Sequence, residues 1–343
     1  MIDAPDESGE PRAMLVGEKK TFLVTGASGF VGQGLLPYLA RHGVGGVATG
    51  RQPPTNLPAG WLGSPRGSVL DRAAAAQTID AVVHLEVRQH VSRPTPADAS
   101  AFDRVNVGNT HEWLEWAGRA GVRRFIFVSS IKAVAPSLEP RLEAAPLVAD
   151  DLYGRSKAAA EQAVRDWACA DPERAAVILR AAPVYGPGNG ANLAAFARQV
   201  LRGRPCLVGD GATRKSIVSR TNLAAAIMFT AANARPGCDV YNVSDPNTTT
   251  MAELAGLISM LANAPPPRAI PAAVATLIAG VGDIVETLTG WEFPLTTPRL
   301  RAIRETTVFP CDKLVAAGFS HPQTTEQGLA EMVESLRERG RPV

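Results

Sequence analysis

The sequence has no clustered cysteines: Cys169, Cys206, Cys238 and Cys311 stand far apart, with no CxxC pair. That excludes a thiolate zinc site and a disulfide framework, and makes a reducing cytoplasm the default compartment. No metal site is expected. Charge imbalance is also missing, with 35 Lys and Arg against 33 Asp and Glu and a net +2. Neither nucleic acid nor a membrane is therefore expected as a partner. Long unbroken apolar runs are absent too. The most apolar stretch, Ala269 to Val285, is broken by Pro271 and Asp283 and is too short to span a bilayer, so a buried or groove-lining helix is expected. Residues 1–18 carry acids and prolines where a secretory leader has a basic start, and read as a disordered lead-in. Finally, no Asp or Glu occurs between Glu18 and Asp71.

What is present is a 343-residue chain with 45% hydrophobic residues, long enough for one large or two interleaved globular domains. From Thr21 short apolar runs alternate with amphipathic ones, the pattern of parallel strands joined by crossover helices. Strands are predicted at 21–25, 44–49, 80–85, 124–129, 175–180 and 239–243, with helices near 30–42, 98–119, 153–170 and 221–234. RFIFVS and AAVILR are continuously apolar, as strands buried on both faces should be. The rhythm changes after Pro183. The expected fold is a Rossmann-type doubly wound parallel sheet over 19–182 and about 221–244. A smaller, mostly helical substrate lobe, interleaved with it, would take up about 183–220 and 245–343.

Gly26, Gly29 and Gly32 lie between an apolar strand and a periodic helix in TFLVTGASGFVGQGLL. A tight turn, close backbone approach to a pyrophosphate and close helix packing all require glycine there. The helix amino terminus then offers its N–H groups to the anion. The acidic residue that normally binds the adenosine ribose some 20 positions on is missing. Arg51 ends the second strand instead, which favours NADP over NAD.

Tyr153 and Lys157, in DDLYGRSKAAAEQAV, are four apart and share one helix face. A phenol of ordinary pKa about 10 needs a nearby cation to act near neutrality, and Lys157 can supply it. Ser129 or Ser130, at the end of a central strand, can hydrogen-bond a reacting carbonyl or alcohol.

With these motifs in order, the chain resembles the extended short-chain dehydrogenase/reductases, the nucleotide-sugar epimerase/dehydratase group in particular. TGASGFVG, NVGNT, FVSS, YGRSK and RAAPVYGPG carry the resemblance. It implies Tyr153 as general acid/base, Lys157 as the residue that lowers its pKa and holds the nicotinamide ribose, and Ser130 as substrate partner. It further implies a cofactor turn of Gly26, Ser28, Gly29, Phe30, Val31 and Gly32, with Leu85, Asn106, Pro183 and Val184 also beside the cofactor. His84 matches the segment before Leu85. Glu86 stands where the group has alanine and is expected at the substrate. Asn109 replaces a usual glycine, and Ser68 and Val69 replace the acidic residue near adenine. Substrate contacts are implied at Asn192, Leu193, Arg214, Lys215 and Arg299, with Arg301 nearby.

Ile131 and Lys132 occupy the positions where dehydratases of the group carry Asp and Glu, so dehydration is disfavoured. C4 epimerisation or keto-sugar reduction is expected. Alternatives are an NADP-dependent steroid or aldehyde reductase and a non-catalytic dinucleotide sensor. A homodimer is expected through the 98–119 and 153–170 helices, the latter carrying Ala158, Ala159, Ala160, Ala163 and Trp167.

Overall fold

A computed structural model describes residues 20–52, 54–71, 79–89, 95–137, 139–188, 192–291, 293 and 295–340; the expected lead-in at 1–18 lies outside them. Its centre is a parallel sheet of seven strands: β1 (Thr21–Thr25), β2 (Gly45–Gly50), β3 (Trp61–Pro65), β4 (Ala81–His84), β5 (Arg124–Ser130), β6 (Ala175–Ala181) and, late in the chain, β11 (Gly237–Val243). The order β11-β6-β5-β4-β1-β2-β3 reverses between β1 and β4, and a doubly wound sheet opens its ligand crevice at such a reversal. The expected fold class is therefore observed. β3 was not anticipated: it is an edge strand in which only Trp61 is buried, so it lacks the apolar run that marks a central strand.

Alternation along the strands fills two cores. Ile126 faces one layer, with Leu35 and Leu39 of α1 (Phe30–Arg41) and Leu223 and Ile227 of α7 (Arg220–Asn233). Phe125 and Phe127 face the other, with Trp113 and Trp116 of α4 (Asn109–Arg119) and Val164 and Trp167 of α5 (Leu152–Cys169). A π-helical turn, Asp103–Gly108, leads into α4 from α3 (Pro96–Phe102). Ala160, Ala163 and Trp167, expected at a dimer interface, are buried inside the chain; α5 presents Ala158 and Ala159 outward instead.

After β6 the chain adds further elements. The short β7 (Val184–Tyr185) pairs with β10 (Val218–Ser219). Beyond it, α6 (Asn192–Leu201), α8 (Met251–Leu261) and α12 (Thr325–Gly340) share a third core with Leu254, Ile258, Leu329 and Met332. A buried network ties this lobe to the sheet: the Tyr185 hydroxyl donates to Asp245 (2.6 Å), which also accepts from Asn222 (2.8 Å) and the Ser219 amide (2.9 Å). Last come α9 (Ala272–Thr289) and α10 (Thr297–Arg304). Only Ala275, Ala279 and Gly282 of α9 are buried, so the expected buried or groove-lining helix is largely exposed.

Candidate active site

The glycine turn is shaped as its sequence requires. Gly26 has φ +64°, and a side chain there would meet the Leu85–Glu86 backbone at 2.8 Å. A Cβ on Gly32 would lie 2.4 Å from the Ala27 carbonyl, so only glycine lets α1 lie this close to β1. Gly29, at the N-cap of α1, has no capping side chain, which leaves the first turn to receive an anion. Ser28 is exposed in the turn, Val31 packs on the core behind it, and the Phe30 ring lies under the Arg220 guanidinium at 5.0 Å. Gly50 approaches Ser28 closely, so the exposed Arg51 follows directly at the rim. The cradle suits a dinucleotide pyrophosphate.

At the end of β4, His84 is fully buried. Its Nε2 donates to Thr110 Oγ1 (3.0 Å), because the Thr110 hydrogen is committed to the Asn106 carbonyl (2.7 Å), and its Nδ1 accepts from Thr25 Oγ1 (2.7 Å). Burial, followed by the charges of Lys157 and Arg66, holds its pKa well below the ordinary value. This is a neutral structural histidine that fixes the strand end beside Leu85, whose amide donates to Thr25 Oγ1 (3.2 Å). Asn106 joins the loop after β4 to the α5 helix: it pairs with both the amide (2.7 Å) and carbonyl (3.2 Å) of Arg88 and donates to Ser156 (2.8 Å).

Ser130 closes β5, and its hydroxyl lies near enough to the Tyr153 phenol to lower that group's pKa. Ser129 points elsewhere, donating to Glu161 at 2.7 Å, so Ser130 is the serine that meets the tyrosine. Asp151 secures the start of α5 by accepting from the Gly154 amide (2.6 Å) and pairing with Lys132 (2.6 Å). Gly154 is obligatory, since a Cβ would lie 2.2 Å from the Lys132 carbonyl. Burial pushes the Tyr153 pKa up to about 12, against the Ser130 hydroxyl, which lowers it. Lys157 is buried with its Nζ on the Val128 carbonyl (2.9 Å) and over the Phe127 ring (4.5 Å). Burial pushes its pKa down to about 7, partly opposed by Glu161. Desolvation thus governs both groups.

Beneath them lies a pair that the sequence reading missed. Glu161 and Arg180 are fully buried and bidentate, at 2.9 and 3.0 Å. Tyr153, Lys157 and Glu161 recur every four residues on one helix face, a spacing from which Glu161 could have been found; Arg180 carried no such signal.

Several residues expected at the substrate also make contacts within the chain. One carboxylate oxygen of Glu86 accepts from Arg66 (3.2 Å), Asn109 (3.1 Å) and Trp113 (3.1 Å), while its other oxygen is buried with no hydrogen-bond partner among the described residues. Ser68 and Val69 fall inside a short helix, α2 (Arg66–Asp71), whose first residue, Arg66, is the one that pairs with Glu86. Arg299 pairs with Glu286 (3.3 Å) and the Phe293 carbonyl, inside the α9–α10 hairpin. Lys215 donates to the Ala302 (2.9 Å) and Glu305 carbonyls, while its neighbour Arg214 is exposed. Leu193 packs on the lobe core; the Asn192 side chain lies outside the described positions. Pro183 is exposed, and its carbonyl accepts from Val218 (3.1 Å), placing Pro183 and Val184 at the junction of sheet and lobe.

A family model described as the NAD dependent epimerase/dehydratase family matches residues 22–244. The chain is 30% identical over 270 residues to the N-acetyl-alpha-D-glucosaminyl-diphospho-ditrans,octacis-undecaprenol 4-epimerase of Escherichia coli O157:H7, covering 77% of this chain and 80% of that protein. To the UDP-glucose 4-epimerase of Vibrio cholerae it is 31% identical over 286 residues, covering 79% and 86%. The solved structure of MoeE5 in complex with UDP-glucose and NAD superposes with a TM-score of 0.71 over 93% of this chain and 99% of that one, at 24% identity, a likeness of fold. With its glycine cradle, strand-end serine and Tyr-x-x-x-Lys helix, the chain belongs to the NAD-dependent epimerase/dehydratase family, enzymes of the extended short-chain dehydrogenase/reductase type.

Proposed function

We propose that the protein transfers hydride at C4 of a diphosphate-linked sugar, a nucleotide sugar in the first place, to epimerise that centre or reduce a 4-keto group. The observation that carries this reading is the Ser130–Tyr153 hydroxyl pair at the end of β5, with Lys157 one turn further along the same helix. Gly26, Gly29, Gly32, Leu85 and Arg51 would hold NAD(P), and when bound the cofactor supplies or accepts the hydride. Tyr153, protonated at neutral pH, donates to the carbonyl oxygen in reduction and withdraws the alcohol proton in oxidation, with Ser130 sharing its hydrogen bond to that oxygen. The Lys157 charge, when present, favours the phenolate needed for the second step. Arg51 favours a 2′-phosphate, hence NADP.

Dehydration lacks its acid and base: Ile131 is buried, and Lys132 is held by Asp151. The C4 position is the one named for both epimerase relatives. One of them acts on a sugar diphosphate carried by a polyprenol, and the exposed apolar face of α9 favours a lipid-linked sugar as a second reading.

The test is to incubate the protein and NAD(P) with UDP-glucose, UDP-N-acetylglucosamine and a polyprenyl-diphospho-sugar, and to follow C4 inversion or ketone reduction by NMR. Tyr153→Phe should lower kcat at least about 10³-fold while cofactor binding persists. Unchanged turnover, or inertness toward every diphosphate-linked sugar, would sink the reading. Arg51→Ala should weaken NADP binding about tenfold and spare NAD; equal effects would remove the NADP preference.

A further inference from the structure

Helix α9 carries Val274, Leu277, Val281, Ile284 and Leu288 at intervals of three and four, and Trp291 continues the series. All six are exposed, Leu277 at 71% and Leu288 at 79%. The chain's own packing uses the opposite side of the helix, where Ala275 and Ala279 meet Leu300 of α10.

The polar side chains of α9 are all satisfied within the chain. Thr276, Thr287 and Thr289 donate to the carbonyls four residues back, at 2.9, 2.7 and 2.7 Å, as hydroxyls do on helices in apolar surroundings. Asp283 accepts from the Thr297 amide (3.0 Å) and hydroxyl. Glu286 accepts from the Phe293 amide (2.9 Å) and from Arg299 (3.3 Å). The stripe therefore presents no group that calls for water or for a polar partner.

Two cations beside it are without partners of opposite charge. Arg301 and Arg304 of α10 are exposed, and among the described residues neither makes an ion pair. Among the described residues the acids of the hairpin are engaged: Asp283 and Glu286 as above, and Glu305 with Arg141 at 3.8 Å. A second copy of the chain laid on this face would bring the same two arginines, with every described carboxylate of the hairpin already engaged. An apolar stripe with a terminal tryptophan and a cationic flank is the pattern of a helix lying in a bilayer interface. The helix is long and apolar enough to cross a membrane, but crossing would break the Asp283–Thr297 and Glu286–Arg299 contacts, whereas lying flat preserves them.

We propose that α9 docks flat on a bilayer containing anionic phospholipid, placing the substrate lobe at the membrane surface. This revises the expectation, drawn from net charge, that no membrane is involved: a total of +2 says nothing of an exposed apolar stripe with two exposed arginines on the neighbouring helix. The docking is independent of which diphosphate-linked sugar is bound.

Flotation of the full chain with vesicles of phosphatidylcholine, alone or mixed with phosphatidylglycerol, tests this. The protein should float with the mixed vesicles and far less with the neutral ones. Leu277→Gln, Ile284→Gln and Leu288→Gln together should lower flotation more than about tenfold, with NAD(P)H binding intact as evidence of folding. Arg301→Glu with Arg304→Glu should erase the preference for anionic lipid. Absence of flotation with either vesicle, or flotation unchanged by the triple substitution, would overturn the proposal. So would a lipid-free dimer that the triple substitution splits in a protein that does not float, since a second copy would then cover the stripe. Sugar turnover without vesicles is read separately and reports only on the proposed reaction.

Discussion

Helices α5 and α9 are both 18 residues long and differ in what they turn inward. α5 buries half of its residues, among them Lys157 and Glu161, which water would solvate readily. α9 buries three small residues and leaves its large aliphatic side chains outside. Burying charge is expensive unless it is paired, and Glu161 meets that condition by taking Arg180 in a fork and Ser129 besides. Exposing leucines is unfavourable as well, and nothing inside the chain offsets it. On the function proposed above, the inward charges of α5 serve chemistry at its first turn, and the outward apolar side chains of α9 serve the proposed bilayer contact.

The comparison breaks most visibly at Glu161. Replacing it by Gln strands the Arg180 guanidinium in the core, and urea unfolding should show a loss of about 3–5 kcal/mol. A loss near zero would mean that the pair is solvated and that α5 hides no charge. Next comes the apolar half of the same helix: Val164→Ala should cost about 2 kcal/mol through lost burial and the cavity left behind.

Much of this contrast could be read in the sequence, and the remainder could not for definite reasons. The glycine turn, the continuously apolar β5 and β6 and the Tyr153–Lys157 spacing are local patterns, set by backbone geometry within a few residues, and the structure places them together. Glu161 and Arg180 are 19 residues apart and meet only because β6 lies beside β5 under the helix. Edge strand β3 has one buried residue and so no run to detect. Glu86 is expected at the substrate by register and Arg299 by its charge, whereas the partners they take within the chain, Arg66 and Trp113 for one and the Phe293 carbonyl for the other, come from folding. Composition cannot say which way an apolar helix faces, and the buried α9 expected from its residues proved exposed.

A third, smaller effect concerns Lys157. Its folded pKa of about 7 lies below the ordinary 10.5, so between these values the unfolded chain holds the extra proton and stability rises with pH. In the cofactor-free protein this group should add about 1 kcal/mol between pH 7 and pH 8. Lys157→Met should remove that increment from the pH series of urea midpoints. An increment that survives the substitution would assign it to another group. Tyr153 acts in the opposite sense and only above pH 10, where the unfolded phenol ionises while the folded one, at about 12, keeps its proton.

The smallest effect is the most discriminating. In lipid-free buffer, Leu277→Gln, Ile284→Gln and Leu288→Gln should each change stability by no more than about 0.5 kcal/mol, because the side chains are solvated in the folded state as in the unfolded one and Gln matches Leu in helix propensity. The Val164 deletion on α5 removes less apolar surface than any one of these and should cost several times more. Chemical denaturation of the four variants side by side decides the matter. If the α9 substitutions cost as much as Val164→Ala, the stripe is covered in the absence of lipid, and the two helices differ only in what covers them. If they cost nothing while vesicle binding falls, the energy withheld from folding by those leucines is spent at the membrane.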